Sequence, residues 1–192
     1  MANDAKSNIK VKGLNLILSY PTFDEPRKAK GSDTAFYGCT LIADDKSNLA
    51  AIKAAVMEAA VAKFGAEAKQ MFVDQEIKSP FRTDVKKKGY PAGTTFFSCK
   101  SKQQPGIVGL VPGPDGKPAL YKGEVYAGLR VNATLRPYYY DQQGGGFAIG
   151  LGNIQVIGPS GLRFDNRVAA EDEFEADENA AAAAAGDMDD IL

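Results

Sequence analysis

The chain has 192 residues, 44% of them hydrophobic and 24% charged, with a formal net charge of -1; this balance belongs to a folded globular protein and excludes a wholly disordered one, and the length suits one domain with extensions. Histidine is absent, which excludes a Ser-His-Asp triad, a Cys-His pair and every zinc site that needs an imidazole. No apolar run approaches the roughly 20 residues that span a bilayer, and the polar N-terminus lacks a signal-peptide core, so the expected location is the cytoplasm, without membrane association.

In chain order, residues 9–18 and 36–43 are rich in β-formers and bounded by Gly, Pro and Asp, which predicts two strands. The stretch TFDEPRKAKGSD between them reads as a loop. Over residues 47–64 the period changes: Leu49, Ile52, Val56, Ala60 and Phe64 fall at helical spacing, with Ser47 as N-cap and Gly65 as terminator. A shorter helical segment follows at 66–73. Strands then return at 94–102, 106–111, 124–140 and 147–157, with PGPDGKP as a turn. Strands around one main helix predict a mainly β chain, with an OB-fold-like five-stranded barrel and long loop insertions as the leading arrangement and other β-rich α+β folds as alternatives.

The 124–140 segment separates into two faces. Val125, Ala127, Leu129, Val131, Ala133 and Leu135 alternate toward a core, while Tyr126, Gly128, Arg130, Asn132, Thr134, Arg136, Tyr138 and Tyr140 lie opposite. A single nucleic-acid strand exposes both phosphates and base faces, so its binder needs cations and flat rings together. Arg130 and Arg136 suit both tasks because guanidinium bonds phosphate and stacks on bases. Tyr138, Tyr139 and Tyr140 are candidate stacking platforms, against the plain alternative that some of them pack beneath a loop. Lys100 and Lys102, which share a strand face with Phe96 and Ser98, and the run Lys86, Lys87 and Lys88 beside Phe81, Arg82 and Tyr90 add cations interleaved with aromatics. A solvated loop is the bland reading of the triple lysine, and Phe96 is equally a core candidate.

Other motifs fail. Gly116-Lys117 is followed by Pro118, and Val111 stands where a phosphate loop needs glycine. The glycines at 144–146 lack dinucleotide-fingerprint spacing and fit a hairpin better. Cys39 and Cys99 lie in separate apolar stretches and read as reduced, buried thiols. No catalytic residues, metal site or cofactor is expected.

Charge is divided along the chain. Residues 171–192 hold nine of the 24 acids and none of the 23 bases, so 15 acids and 23 bases remain in residues 1–170, a formal +8. A basic body attracts polyanions, and an acidic segment can compete for its surface or bind elsewhere. The expected boundary therefore lies at 170, between a binding domain and a largely disordered tail. After an alanine-rich linker at 179–186, the cluster Asp187, Asp189 and Asp190 with Ile191 and Leu192 reads as a tag for partner proteins, an apolar tip beside acids for a basic-rimmed pocket.

The stretch Glu124-Val125-Tyr126-Ala127-Gly128, continuing through Arg136-Pro137-Tyr138 to Phe147 and Gly150-Leu151-Gly152-Asn153-Ile154-Gln155, resembles a family of tailed-phage single-stranded DNA-binding proteins. Ala170-Glu171-Asp172-Glu173-Phe174 is similar to that family's end of domain. The resemblance implies an OB-fold, binding to single strands with little sequence preference, and a role in replication or recombination within a bacterial host. The tail also resembles those of bacterial single-strand binders, which dock replication enzymes, although Ile191-Leu192 replaces their terminal proline and phenylalanine. Competing readings are a strand-annealing recombination protein, an RNA chaperone, and a virion or interaction protein whose basic face binds protein. Exposed strand edges and the tail are compatible with a homodimer.

Overall fold

The structure, a computed structural model, describes residues 9–28, 33–85, 89–162 and 164. Its strands are β1 (Val11–Lys28), β2 (Ala35–Ala43), β3 (Thr95–Ser101), β4 (Ile107–Pro112), β5 (Pro118–Leu120), β6 (Leu129–Tyr140) and β7 (Gly146–Pro159). Between β2 and β3 the chain forms α1 (Leu49–Phe64) and α2 (Ala68–Val73), joined by a short 3-10 turn. Sheet order is β3-β2-β1-β6-β7-β4-β5. A parallel pairing of β3 with β7, at Cys99↔Ile149 and Lys100↔Gly150, closes β3, β2, β1, β6 and β7 into a barrel. This is the expected mixed, OB-like five-stranded barrel with one main helical stretch. The β4–β5 hairpin is added outside it, where β4 runs parallel to β7 at Ile107↔Ile154.

Strand alternation fills the barrel. Leu16, Leu18, Leu41, Phe97, Val131, Leu135 and Ile149 point inward and are almost fully buried. Truncating Phe97 at this centre to alanine should cost about 3–5 kcal/mol. Helix α1 lays Ile52, Ala55, Val56, Ala59 and Ala60 on this core. Gly65 ends it at φ 67°, donating its N–H to the Val61 carbonyl, a left-handed turn that glycine makes without a Cβ penalty. A second cluster, Ile17, Ile42, Val85, Tyr90 and Phe96, lies on the opposite side of the sheet.

The observed elements depart from the sequence reading at three places. The region read as a loop after Thr22 is largely the far end of β1, which stays paired with β2 out to Arg27↔Phe36 and Lys28↔Ala35 through irregular register. Ser47 does not cap α1; its hydroxyl donates to the Asn15 carbonyl and to Asp44, and Asn48 occupies the cap position. The long strand begins only at Leu129, because Gly128 adopts φ 108° and sits so close to the Leu162 carbonyl that a side chain would collide with it. Residues 124–128 are therefore a loop, and Val125 packs at the edge of the core.

Candidate nucleic-acid interface

The outward side of β6 divides into two halves with different chemistry. In the first half, Arg130 donates to both Asp44 carboxylate oxygens, at 2.7 and 3.3 Å, and to the Asn15 carbonyl at 2.7 Å. Desolvation pulls the Asp44 pKa upward, but hydrogen bonds from Arg130, Ser47 and the Lys46 N–H, with the Arg130 charge, outweigh it and hold the carboxyl below its ordinary range. Asn132 is likewise engaged, accepting from the Asn15 N–H at 3.0 Å and donating to Gln155 at 2.9 Å. This half is a structural network. The structure places Arg130, expected as an open strand contact, as a side chain that holds the β1 bulge.

The second half is open. Arg136 and Tyr138 are exposed, and β7 passes beside them with only small outward residues, Ala148, Gly150 and Gly152, while Gly146 is buried beneath Lys78 and Tyr140. Gly150 pairs with Arg136 on one side and with Lys100 of β3 on the other. Two cations thus flank a glycine lane one strand wide on each side, about 4.8 Å per spacing. Tyr138 rises beside the lane: a Cβ added at Gly150 would lie 3.8 Å from its ring. Burial, with the neighbouring Tyr140 phenol, pushes the Tyr138 hydroxyl above its usual pKa, so it stays neutral.

Beyond Lys100, the outer face of β2 and β3 continues the surface. The Lys100 ammonium lies 5.7 Å from the Phe36 ring centroid, a cation–π arrangement that presents ring and charge together. Thr40 and Ser98 pair across the strands with hydroxyls 3.5 Å apart. Lys102 is exposed just past the end of β3. Residues 78–82 fill the seam between β3 and β7: Arg82 bridges to Phe96, and Lys78 bridges to Gly146, where Tyr140 also sits. Arg82 and Lys78 are both exposed.

Two more candidate contacts lie away from the open face. Tyr139 turns to the core side, edge-on to Phe64 at 5.2 Å and to Phe147 at 5.6 Å, with the Lys63 ammonium 4.8 Å from its ring. Strand parity decides this, since Tyr139 lies in phase with Leu135 and Pro137. Phe81 packs edge-on against Phe97 at 5.6 Å instead of standing free. Phe96, left between two readings, is buried in the outer cluster. Lys86, Lys87 and Lys88, together with Asp187, Asp189, Asp190, Ile191 and Leu192, lie outside the described residues. The sequence reading missed Phe36, Lys78 and Thr40, which are brought to this face only by pairing. It also missed the small-residue lane, although the alternation at 148, 150 and 152 was present in the chain.

No group of acids and cysteines that could hold a metal ion occurs among the described residues. No helix there is long and apolar enough to cross a membrane. Cys39 and Cys99 face each other across β2 and β3, with their sulfurs 3.3 Å apart, and both are buried free thiols.

The model of the family described as Enterobacter phage Enc34, ssDNA-binding protein, matches residues 9–185. The chain belongs to this family. The family consists of binding proteins, in line with the resemblance carried by residues 124–155. A protein designated p50, of Acyrthosiphon pisum secondary endosymbiont phage 1, is 27% identical over 178 residues, covering 87% of this chain and 93% of the relative. Among solved structures, the single-stranded DNA-binding protein from bacteriophage Enc34 in complex with ssDNA aligns with a TM-score of 0.59 at 18% identity, over 83% of this chain and 97% of that one. The bacteriophage T7 protein gp2.5, a single-stranded DNA binding protein, aligns with a TM-score of 0.54 at 12% identity, over 83% and 97%. At these identities the structural likeness establishes the shared fold.

Proposed function

We propose that this phage protein coats and protects single-stranded DNA, with little sequence preference, during replication or recombination in the bacterial cytoplasm. The strand lies across β6, β7 and β3. Its phosphates meet Arg136, Lys100, Lys102 and Arg82, and its bases stack on Tyr138 and Phe36. The observation that carries this reading is the register Lys100↔Gly150↔Arg136: one cation on each side of a floor without side chains, beside an exposed ring. A base can lie flat on such a floor while its phosphate reaches a cation, and neither contact depends on base identity.

Residues 171–192 act as a detachable polyanion. They compete with DNA for the basic face and, through Asp187, Asp189, Asp190, Ile191 and Leu192, recruit replication or recombination enzymes. This part of the proposal rests on the charge division between residues 1–170 and 171–192.

A salt-series titration of fluorescent oligothymidine tests the reading. Log affinity should fall with log salt by about 0.7 for each phosphate contacted, and duplex of equal length should bind far more weakly. Failure of the oligonucleotide to bind at low salt would refute the proposal and favour a protein-binding role for the basic face.

A further inference from the structure

We propose that a second, base-reading pocket terminates the strand's path, at the opposite end of the outer face from the glycine lane. The inference rests on the strand-coating function above and extends it. A cavity of about 580 Å³ opens between the middle of β1, the 124–128 loop and the chain beyond β7, lined by Ser19, Tyr20, Glu124, Tyr126, Leu162 and Phe164 among others. Tyr20 is 62% exposed and Tyr126 is 44% exposed, although large rings ordinarily pack inward when a core is within reach. Tyr20 reaches this position with φ 47°, a left-handed backbone rare for a bulky residue and found disproportionately at binding sites.

The pocket is continuous with the proposed DNA face. Ser19 pairs with Thr40, and Thr40 pairs with Ser98, so two strand spacings, roughly 10 Å, separate the pocket from the hydroxyl that precedes Lys100 by two residues. The Tyr90 hydroxyl donates to Ser19 at 3.0 Å and fills the polar ground between them. Ser98 is exposed and Thr40 half-buried on this line, whereas Ser19 is covered by Tyr90, so a strand leaving the lane past Lys100 passes over the Thr40 and Ser98 hydroxyls and the edge of Tyr90 before reaching the aromatic rings.

The pocket's chemistry differs from that of the lane. Among the described residues lining it there is no Lys or Arg, and Glu124 is an acid. A carboxylate beside aromatic rings suits a base, with the phosphate backbone turned outward. The rings and Leu162 cover the base faces. The Glu124 carboxylate can accept a hydrogen bond from an exocyclic amino group, which cytosine carries and thymine lacks. The pocket thus adds a mild preference for amino-bearing bases to a surface that otherwise ignores sequence.

The test compares oligodeoxycytidine and oligodeoxythymidine 12-mers, titrated at pH 8 against the full chain and against the Tyr126→Ala and Glu124→Ala variants. Tyr126 and Glu124 lie in a loop, and thermal melts check that both variants fold. The full chain should bind the cytidine 12-mer several-fold more tightly. Glu124→Ala should equalise the two, and Tyr126→Ala should weaken both about tenfold. If the full chain binds both 12-mers while neither variant changes either affinity, the pocket proposal is overturned and the coating function stands. If the full chain binds neither, the coating function itself fails.

Discussion

The Arg130 guanidinium donates to the Asp44 carboxylate at 2.7 Å, with the two side chains only 13% and 18% exposed. This pair ties β6 to the end of β2, and Ser47 and Asn15 complete its hydrogen bonds. Asp44→Ala leaves a largely buried guanidinium uncompensated and should cost roughly 3 kcal/mol, the low end for broken buried pairs because some solvent contact remains. Because the folded-state pKa of Asp44 lies below its unfolded value, its contribution is present above the ordinary aspartate pKa of about 3.9 and disappears as pH falls through the lower folded value. Urea unfolding at pH 7, 4 and 3 should show an acid loss that is smaller in Asp44→Ala.

Arg130 and Arg136 stand on the same strand face but should behave oppositely in DNA binding. Arg136→Ala should lower affinity at low salt and reduce the salt slope by about 0.7, without a change in urea midpoint. Arg130→Ala should lower the midpoint and leave the slope unchanged. Equal slopes in both variants would remove Arg136 from the interface.

Tyr138 and Tyr139 offer a sharper contrast. Tyr138→Ala should cost binding about 1–3 kcal/mol through lost stacking. Tyr139→Ala should instead destabilise the fold, since its ring fills the space between Phe64 and Phe147. Oligothymidine affinity and thermal melts of the two variants separate these effects.

Gly150→Val would raise a branched side chain in the lane, against the Arg136 carbonyl 3.3 Å from the new Cβ and the Tyr138 ring. Binding should drop at least as much as for Tyr138→Ala. Circular dichroism should show the β-sheet intact, since β-branched residues suit strands.

Burial, helped by the neighbouring Cys99 thiol, pushes the Cys39 pKa well up. Thiolate is the reactive form, so iodoacetamide should label the native protein slowly at pH 8 and the urea-unfolded chain rapidly. Above an ordinary thiol pKa of about 8.5, the unfolded chain releases a proton that the folded chain retains, so stability should fall as pH rises. Urea midpoints at pH 7 and 10 should converge in Cys39→Ala relative to the unaltered chain.

By itself the sequence determined the barrel-forming strands, the helix ending at Gly65, the contrast between a basic body and an acidic terminus, and membership of the family, because alternation, helical period and glycine stops are local properties of the chain. It also marked Arg136 and Tyr138 by parity. Tertiary structure alone decided which outward residues are available. Asp44 lies 86 residues from Arg130, and nothing local announces that it neutralises that cation. Lys100 reaches Gly150 and Arg136 only because β3 and β7 pair in parallel to close the barrel. The start of β6 depended on the Leu162 carbonyl pressing against Gly128, a contact between segments that strand propensity does not register. Side-chain partners across the barrel are set by register and closure, so availability for a ligand became readable only once the strands were paired.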